Sequence, residues 1–187
     1  VEVARGRAND LDFRFPVQYV IREHASDYRG YAGRVKAGTV HVGDTVTLPE
    51  GREAVVAHID TPDGEVDSAT AGDSVVLRLD REIDIVRGDL IAGPGRPADT
   101  RRFAATVVGL SDKELTRGKR VKIRYGTKLT RGRVTSVDSL VSIDDAAPVA
   151  EGADLTVGLN DIAHVTVDVA EALPVEDYAA RGAVGSF

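Results

Sequence analysis

Residues 37–48 read Ala37-Gly38-Thr39-Val40-His41-Val42-Gly43-Asp44-Thr45-Val46-Thr47-Leu48. Val40 and Val42 precede Gly43-Asp44, and Val46 and Leu48 follow it. An apolar residue at every second position marks one face of a strand. Glycine accepts the backbone angles of a sharp corner, and aspartate hydrogen-bonds the nearby main chain. The stretch predicts two short strands joined by a tight turn.

The same pattern continues on both sides. Upstream, Phe13, Phe15, Val17, Tyr19 and Ile21 alternate with Arg14, Gln18 and Val20. Pro16 offers no N–H to a ladder, which predicts an edge or a bulge. Downstream, Val55, Val56 and Ile59 form a run closed by Pro62-Asp63-Gly64, and Ala71-Gly72-Asp73-Ser74-Val75 repeats the glycine–aspartate corner. Turn signals at intervals of roughly 8–12 residues point to a β-sandwich or barrel. Two glycines and two prolines within residues 93–97 break any strand or helix and mark a linker. Beyond them the alternation restarts at Phe103, runs through Val121, Ile123 and Tyr125, and recurs in Val134, Leu140, Val141, Ile143, Leu155, Val157, Val165, Val167 and Val169. The chain reads as two β domains.

Composition removes several chemistries. The 187 residues are 42% hydrophobic and 29% charged, the balance of a globular chain. Without Cys there is no disulfide, thiolate metal site or cysteine nucleophile. Without Met, the sequence is expected to be an excerpt of something longer, with Val184-Gly185-Ser186-Phe187 opening a truncated strand. No G-x-x-x-x-G-K-[ST] occurs, so the phosphate cradle that motif builds is missing. Asp27-Tyr28-Arg29-Gly30 has the D-x-x-G form but no phosphate loop upstream. His24, His41, His58 and His164 lack metal-ligand spacing. Ser186 lacks a nucleophile elbow. The pairs Asp144-Asp145 and Glu176-Asp177 are expected in solvated loops. No tight binding of GTP, ATP or Mg²⁺ is expected.

Charge is distributed unevenly. Residues 101–133 carry 11 Lys and Arg against 2 Asp and Glu, in a chain of net charge −6. On a strand, Arg120, Lys122 and Arg124 share the face opposite Val121, Ile123 and Tyr125. With Arg117 and Lys119 they form the candidate interface. Two readings stay open: a solvated face that deters edge pairing, or docking onto an acidic surface or a nucleic-acid backbone. No aromatics interleave with these cations, which counts against single-strand binding.

Gly30-Tyr31-Ala32-Gly33-Arg34-Val35, residues 37–46 and Ala71-Gly72-Asp73-Ser74-Val75, in that order, resemble the second-domain β-barrel of translational GTPases such as elongation factor Tu. Phe13-Arg14-Phe15-Pro16-Val17-Gln18-Tyr19-Val20 and Ile83-Asp84-Ile85-Val86-Arg87-Gly88-Asp89-Leu90 narrow the resemblance to the large, GTPase subunit of bacterial sulfate adenylyltransferase. Tyr125-Gly126-Thr127, Leu159-Asn160-Asp161-Ile162 and Ala170-Glu171-Ala172-Leu173, with Tyr178 and Arg181, fit its third domain. Ala163, where the family has glycine, and the run 180–185 depart from the pattern.

The resemblance implies an all-β fold of two consecutive antiparallel barrels of the elongation factor Tu domain 2 and domain 3 type. Residues 1–10 would be a linker from a preceding GTPase domain, 11–95 the first barrel and 96–187 the second. Gly38, Gly43, Asp44, Gly72 and Asp73 would be structural turn residues. The parent would use GTP and Mg²⁺ to drive formation of adenosine 5′-phosphosulfate from ATP and sulfate. This portion would carry no catalytic, cofactor-binding or metal-binding residues. Its partners would be the GTPase domain and the small catalytic subunit, in the cytoplasm, with no membrane and no nucleic acid. The alternative is a barrel pair from a translation factor that binds tRNA or the ribosome.

Overall fold

The computed structural model describes residues 10–23, 28–142, 144, 147–152 and 155–178. Expectations for residues 1–9, His24, Asp27, Ile143, Asp145, 180–185 and Ser186-Phe187 lie outside the described residues. Two compact units are present. One holds the residues up to Asp99, Tyr125–Lys128 and those from Glu176 onward; the other holds Thr100–Arg124 and Leu129–Val175. The division thus falls just past the Gly/Pro-rich stretch, where Arg96 and Asp99 form an ion pair at 3.0 Å.

The first unit contains β1 (Arg14–Arg22), β2 (Arg29–Arg34), β3 (Thr39–His41), β4 (Thr45–Thr47), β5 (Glu53–Thr61), β6 (Gly64–Val66), β7 (Ser68–Thr70), β8 (Ser74–Leu79) and β9 (Leu90–Ala92). Antiparallel pairing runs β4-β9-β1-β2-β8-β5, and β5 pairs back onto β4. Six strands therefore close into a barrel, with β6 flanking β5 and β3 pairing β7 alongside. Closure removes the unpaired edges that an open sheet would leave. Phe15, Val17, Leu48, Ile59, Leu77 and Ile91 fill the interior and are fully buried. Burying such a side chain contributes about 1.5–3 kcal/mol.

The alternation read along β1 holds only in part. Phe13, Phe15 and Val17 are buried, but Tyr19 is 65% exposed. The pairing of β1 with β2 slips between Val17 and Tyr19. One extra residue reverses every later side chain, so Val20 packs on the core instead. Pro16 is not on an edge: it pairs with Leu90 of β9, directly before that bulge. Arg14, on the polar phase of the alternation, is fully buried. Glu176, expected in solvent, is its ion-pair partner and keeps only 8% side-chain exposure. The guanidinium also donates to the carbonyls of Phe13 at 2.9 Å and Gly95 at 2.7 Å. These three acceptors make burial of the cation tolerable.

One turn recurs. In His41–Asp44, Thr70–Asp73 and Val86–Asp89 the final aspartate N–H donates to the first carbonyl, at 3.1, 3.0 and 3.1 Å. The aspartate side chain accepts in return from the first residue's N–H at 2.8, 2.8 and 2.9 Å. The third residue is Gly43, Gly72 or Gly88, each with positive φ, as a type II turn requires at that place. Gly158–Asp161 repeats both bonds in the second unit with Asn160 at φ 67°.

The second unit is built on β10 (Thr100–Val108), β11 (Leu115–Thr116), β12 (Arg120–Tyr125), β13 (Lys128–Val141), β14 (Pro148–Glu151), β15 (Thr156–Val157) and β16 (Ile162–Leu173). The sheet order is β10-β16-β13-β12, with β14 also on β13 and β11 paired to β15. Along β16, Ala163, Val165, Val167 and Val169 are buried while His164 is exposed and Asp168 half-buried. That period of two sets Asp168 on the outer face.

Candidate functional site

The cationic segment forms the turn between β11 and β12, then β12 itself, then the first half of β13. Arg117, Lys119, Arg120, Lys122 and Arg124 are all exposed, whereas Ile123 and Tyr125 are buried and Val121 half-buried. Among the described residues no ion pair involves any of these five cations. Arg117 and Lys119 lie in a turn closed by the Lys119 N–H to the Thr116 carbonyl at 3.1 Å.

Arg120 lines an open groove of about 570 Å³ together with Gly118, Arg131, Gly132, Arg133, Asp168, Val169 and Ala170. Arg131 and Arg133 are two apart on β13 and both exposed, so they share a face. Gly132, between them, faces inward: a Cβ there would meet the buried Ile123 at Cδ1, 2.6 Å away, and the Asp168 carbonyl oxygen at 3.1 Å. Arg133 Nε donates to the Gly118 carbonyl at 3.2 Å, which holds its guanidinium against the turn.

Asp168 is opposite Arg102 on one neighbouring strand and Arg133 on the other. Its carboxylate turns to Arg102, which donates from Nε at 2.6 Å and Nη2 at 2.8 Å. These hydrogen bonds hold the Asp168 carboxyl below the usual carboxylate range and raise Arg102. The one anion of the groove is thus balanced from outside it. Arg120, Arg131 and Arg133 are left with no carboxylate within 4.0 Å among the described residues.

The described residues gather no group of three or more His, Asp or Glu that could hold a metal. His58 contacts Glu65, and His41 contacts Asp44. His164 meets the Thr106 hydroxyl at 3.0 Å. Each is a local surface pair. In the first unit, Tyr125 Oη accepts the Glu176 N–H at 2.8 Å, and burial raises its phenol above the ordinary 10.0. Gly38, Gly43 and Gly72 have φ of 72, 93 and 107°. The Arg131–Arg133 part of the groove was missed as a site by the sequence reading. The i, i+2 rule applied to β12 would have found it.

Comparison with known proteins agrees with this architecture. A model of the GTP-eEF1A C-terminal domain-like family matches residues 102–187. Sup35 complexed with GMPPNP superposes with a TM-score of 0.78 over 97% of this chain and 44% of that one, at 19% identity. The chain has the all-β fold of that structure and, over residues 102–187, matches the GTP-eEF1A C-terminal domain-like family. Sulfate adenylyltransferase subunit 1 of Teredinibacter turnerae is 38% identical over 189 residues, matching 100% of this chain and 39% of that protein. The Shewanella oneidensis counterpart is 39% identical over 174 residues, matching 90% and 35%. The chain is similar to sulfate adenylyltransferase subunit 1 along its whole length and spans about two fifths of the length of these curated relatives.

Proposed function

We propose that these barrels are the non-catalytic part of a GTPase subunit of sulfate adenylyltransferase. They would couple GTP hydrolysis on a neighbouring domain to formation of adenosine 5′-phosphosulfate on a small catalytic subunit. The observation that carries this reading is 38% identity to subunit 1 along the whole chain. The division into residues 11–95 and 96–187 as second and third domains, and a cytoplasmic setting, belong to the same proposal. Among the described residues no helix is long and apolar enough to cross a membrane.

GTP and Mg²⁺ would be held outside these barrels, whose sequence lacks the G-x-x-x-x-G-K-[ST] phosphate loop. The chain's contribution would be mechanical. A closed barrel moves as a rigid body, so it transmits a change of nucleotide state by displacement and not by deformation. The exposed face of Arg120, Lys122 and Arg124 would meet an acidic surface of the GTPase domain or the catalytic subunit.

The test is retention of two ligands by the immobilised chain. A small adenylyltransferase subunit is expected to be retained at low salt, and tRNA is not. Retention of tRNA without the subunit would favour the translation-factor reading, for which the elongation-factor fold and the basic face give some support.

A further inference from the structure

We propose that the groove between β12, β13 and β16 is a docking site for an acidic polypeptide segment, gripped by Arg120, Arg131 and Arg133. Three features carry this. First, three arginines line one open groove with no ion-pair partner among the described residues, although the chain as a whole is acidic at −6. Clustered like charges repel, and a carboxylate-bearing ligand relieves that repulsion. Second, the site is partly preorganised. Arg133 is tethered to the Gly118 carbonyl and Asp168 is held by Arg102, so neither has to find its place when a ligand arrives. Third, the lining is chemically selective. The planar forks of arginine suit two-oxygen acceptors.

The choice of polypeptide over nucleic acid rests on the same lining. None of the groove residues is aromatic, so bases have nothing to stack on. Residues 134–187 carry 1 Lys or Arg against 10 Asp and Glu, a net of −9, which repels an extended polyanion. A short acidic segment needs only the groove. The groove is open to solvent, with a volume of about 570 Å³.

The experiment measures fluorescence anisotropy of a labelled oligoglutamate peptide titrated with the 187-residue chain at low ionic strength. The variant Arg120→Gln/Arg131→Gln/Arg133→Gln is expected to weaken binding by about tenfold or more. Arg87→Gln, on an exposed cation outside the groove, is expected to change it less than about twofold. If the triple variant does not fold, Arg120→Lys/Arg131→Lys keeps the charge while removing the forks, and an intermediate loss is expected. Equal binding by parent and groove variants, or an equal loss in Arg87→Gln, overturns the proposal. So does tighter binding of a single-stranded oligonucleotide of matched charge. The outcome is independent of the sulfate-activation reading: a chain that binds oligoglutamate but does not retain the small subunit loses that reading and keeps this one.

Discussion

Arg14 and Glu176 lie 162 residues apart in sequence and form an ion pair inside the first unit, with side-chain exposures of 0% and 8%. Arg14 belongs to the first strand of the barrel, and Glu176 follows β16, the last strand among the described residues. The pair ties the C-terminal segment to the strand on which the barrel is built.

Removing one member should therefore cost more than removing both. Glu176→Ala leaves a buried guanidinium without its counter-ion, at an expected loss of about 3–5 kcal/mol. Arg14→Met combined with Glu176→Leu replaces the pair by apolar volume and should recover much of that loss. Urea denaturation of the two variants and the parent decides it. Equal destabilisation of single and double variants would show that the charge pairing is not what matters.

Two turn glycines should respond differently to substitution. Gly43 has φ 93° and open space around a built Cβ, so Gly43→Ala meets only backbone strain, on the order of 1–2 kcal/mol. The branched Gly43→Val should cost about 1–3 kcal/mol. At Gly38 (φ 72°) a Cβ would stand 2.5 Å from the Leu11 carbonyl oxygen and the Phe13 nitrogen. Main chain cannot swing aside as a side-chain tip does, so Gly38→Ala should be clearly the worse of the two in thermal melts. A Gly43→Val variant that melts within a degree of the parent would remove the tight-turn role of that residue.

Acid should weaken the second unit through Asp168. Hydrogen bonds from Arg102 depress the folded-state pKa below 3.8, so the stabilisation is present above that value and is lost as pH falls through the folded pKa. Both groups lie at the surface, so the effect is small and salt-sensitive. Asp168→Asn should flatten the acid limb of a plot of Tm against pH below about pH 4 and leave neutral pH nearly unchanged. A parent and variant with parallel acid limbs would contradict this.

Charge reversal of Arg120, Lys122 and Arg124 to Glu, in a full-length GTPase subunit carrying these barrels, should weaken association with its partner at low salt. Each exposed pair is worth about 0–1 kcal/mol, so the loss is collective and shrinks as salt rises. Gel filtration at low and high ionic strength measures it. Unchanged association at low salt would leave a merely solvated face.

Much of the fold was legible because it is written at period two. Val40, Val46, Ile123 and Val165–Val167 give their faces directly, and Gly43-Asp44 and Gly72-Asp73 give the corners between strands. Three things were not legible. The bulge after Val17 turns Tyr19 outward, and a one-residue slip leaves no mark in an alternating sequence. Arg14 looked like a solvent residue because its partner stands 162 positions away, and no local pattern joins them. The groove escaped for a similar reason: Arg120, Arg133 and Asp168 sit on three strands, and only pairing brings them to one surface. What the sequence did reveal there was the excess of positive charge, without its shape.

The ring of the first unit is not equally fastened all round. β4 holds β5 through three residue pairs, but meets β9 through Thr47 and Ala92 alone. A hoop opens where it is least riveted. Amide protons of β4 should therefore trade with solvent well before those of β2 and β8, which share four pairs deep in the wall. Parting that single rung would turn a sealed cylinder into a strip with two bare rims. The β4–β9 junction is then the place where a neighbouring strand, from a partner or from a second misfolded copy, would find its first handhold.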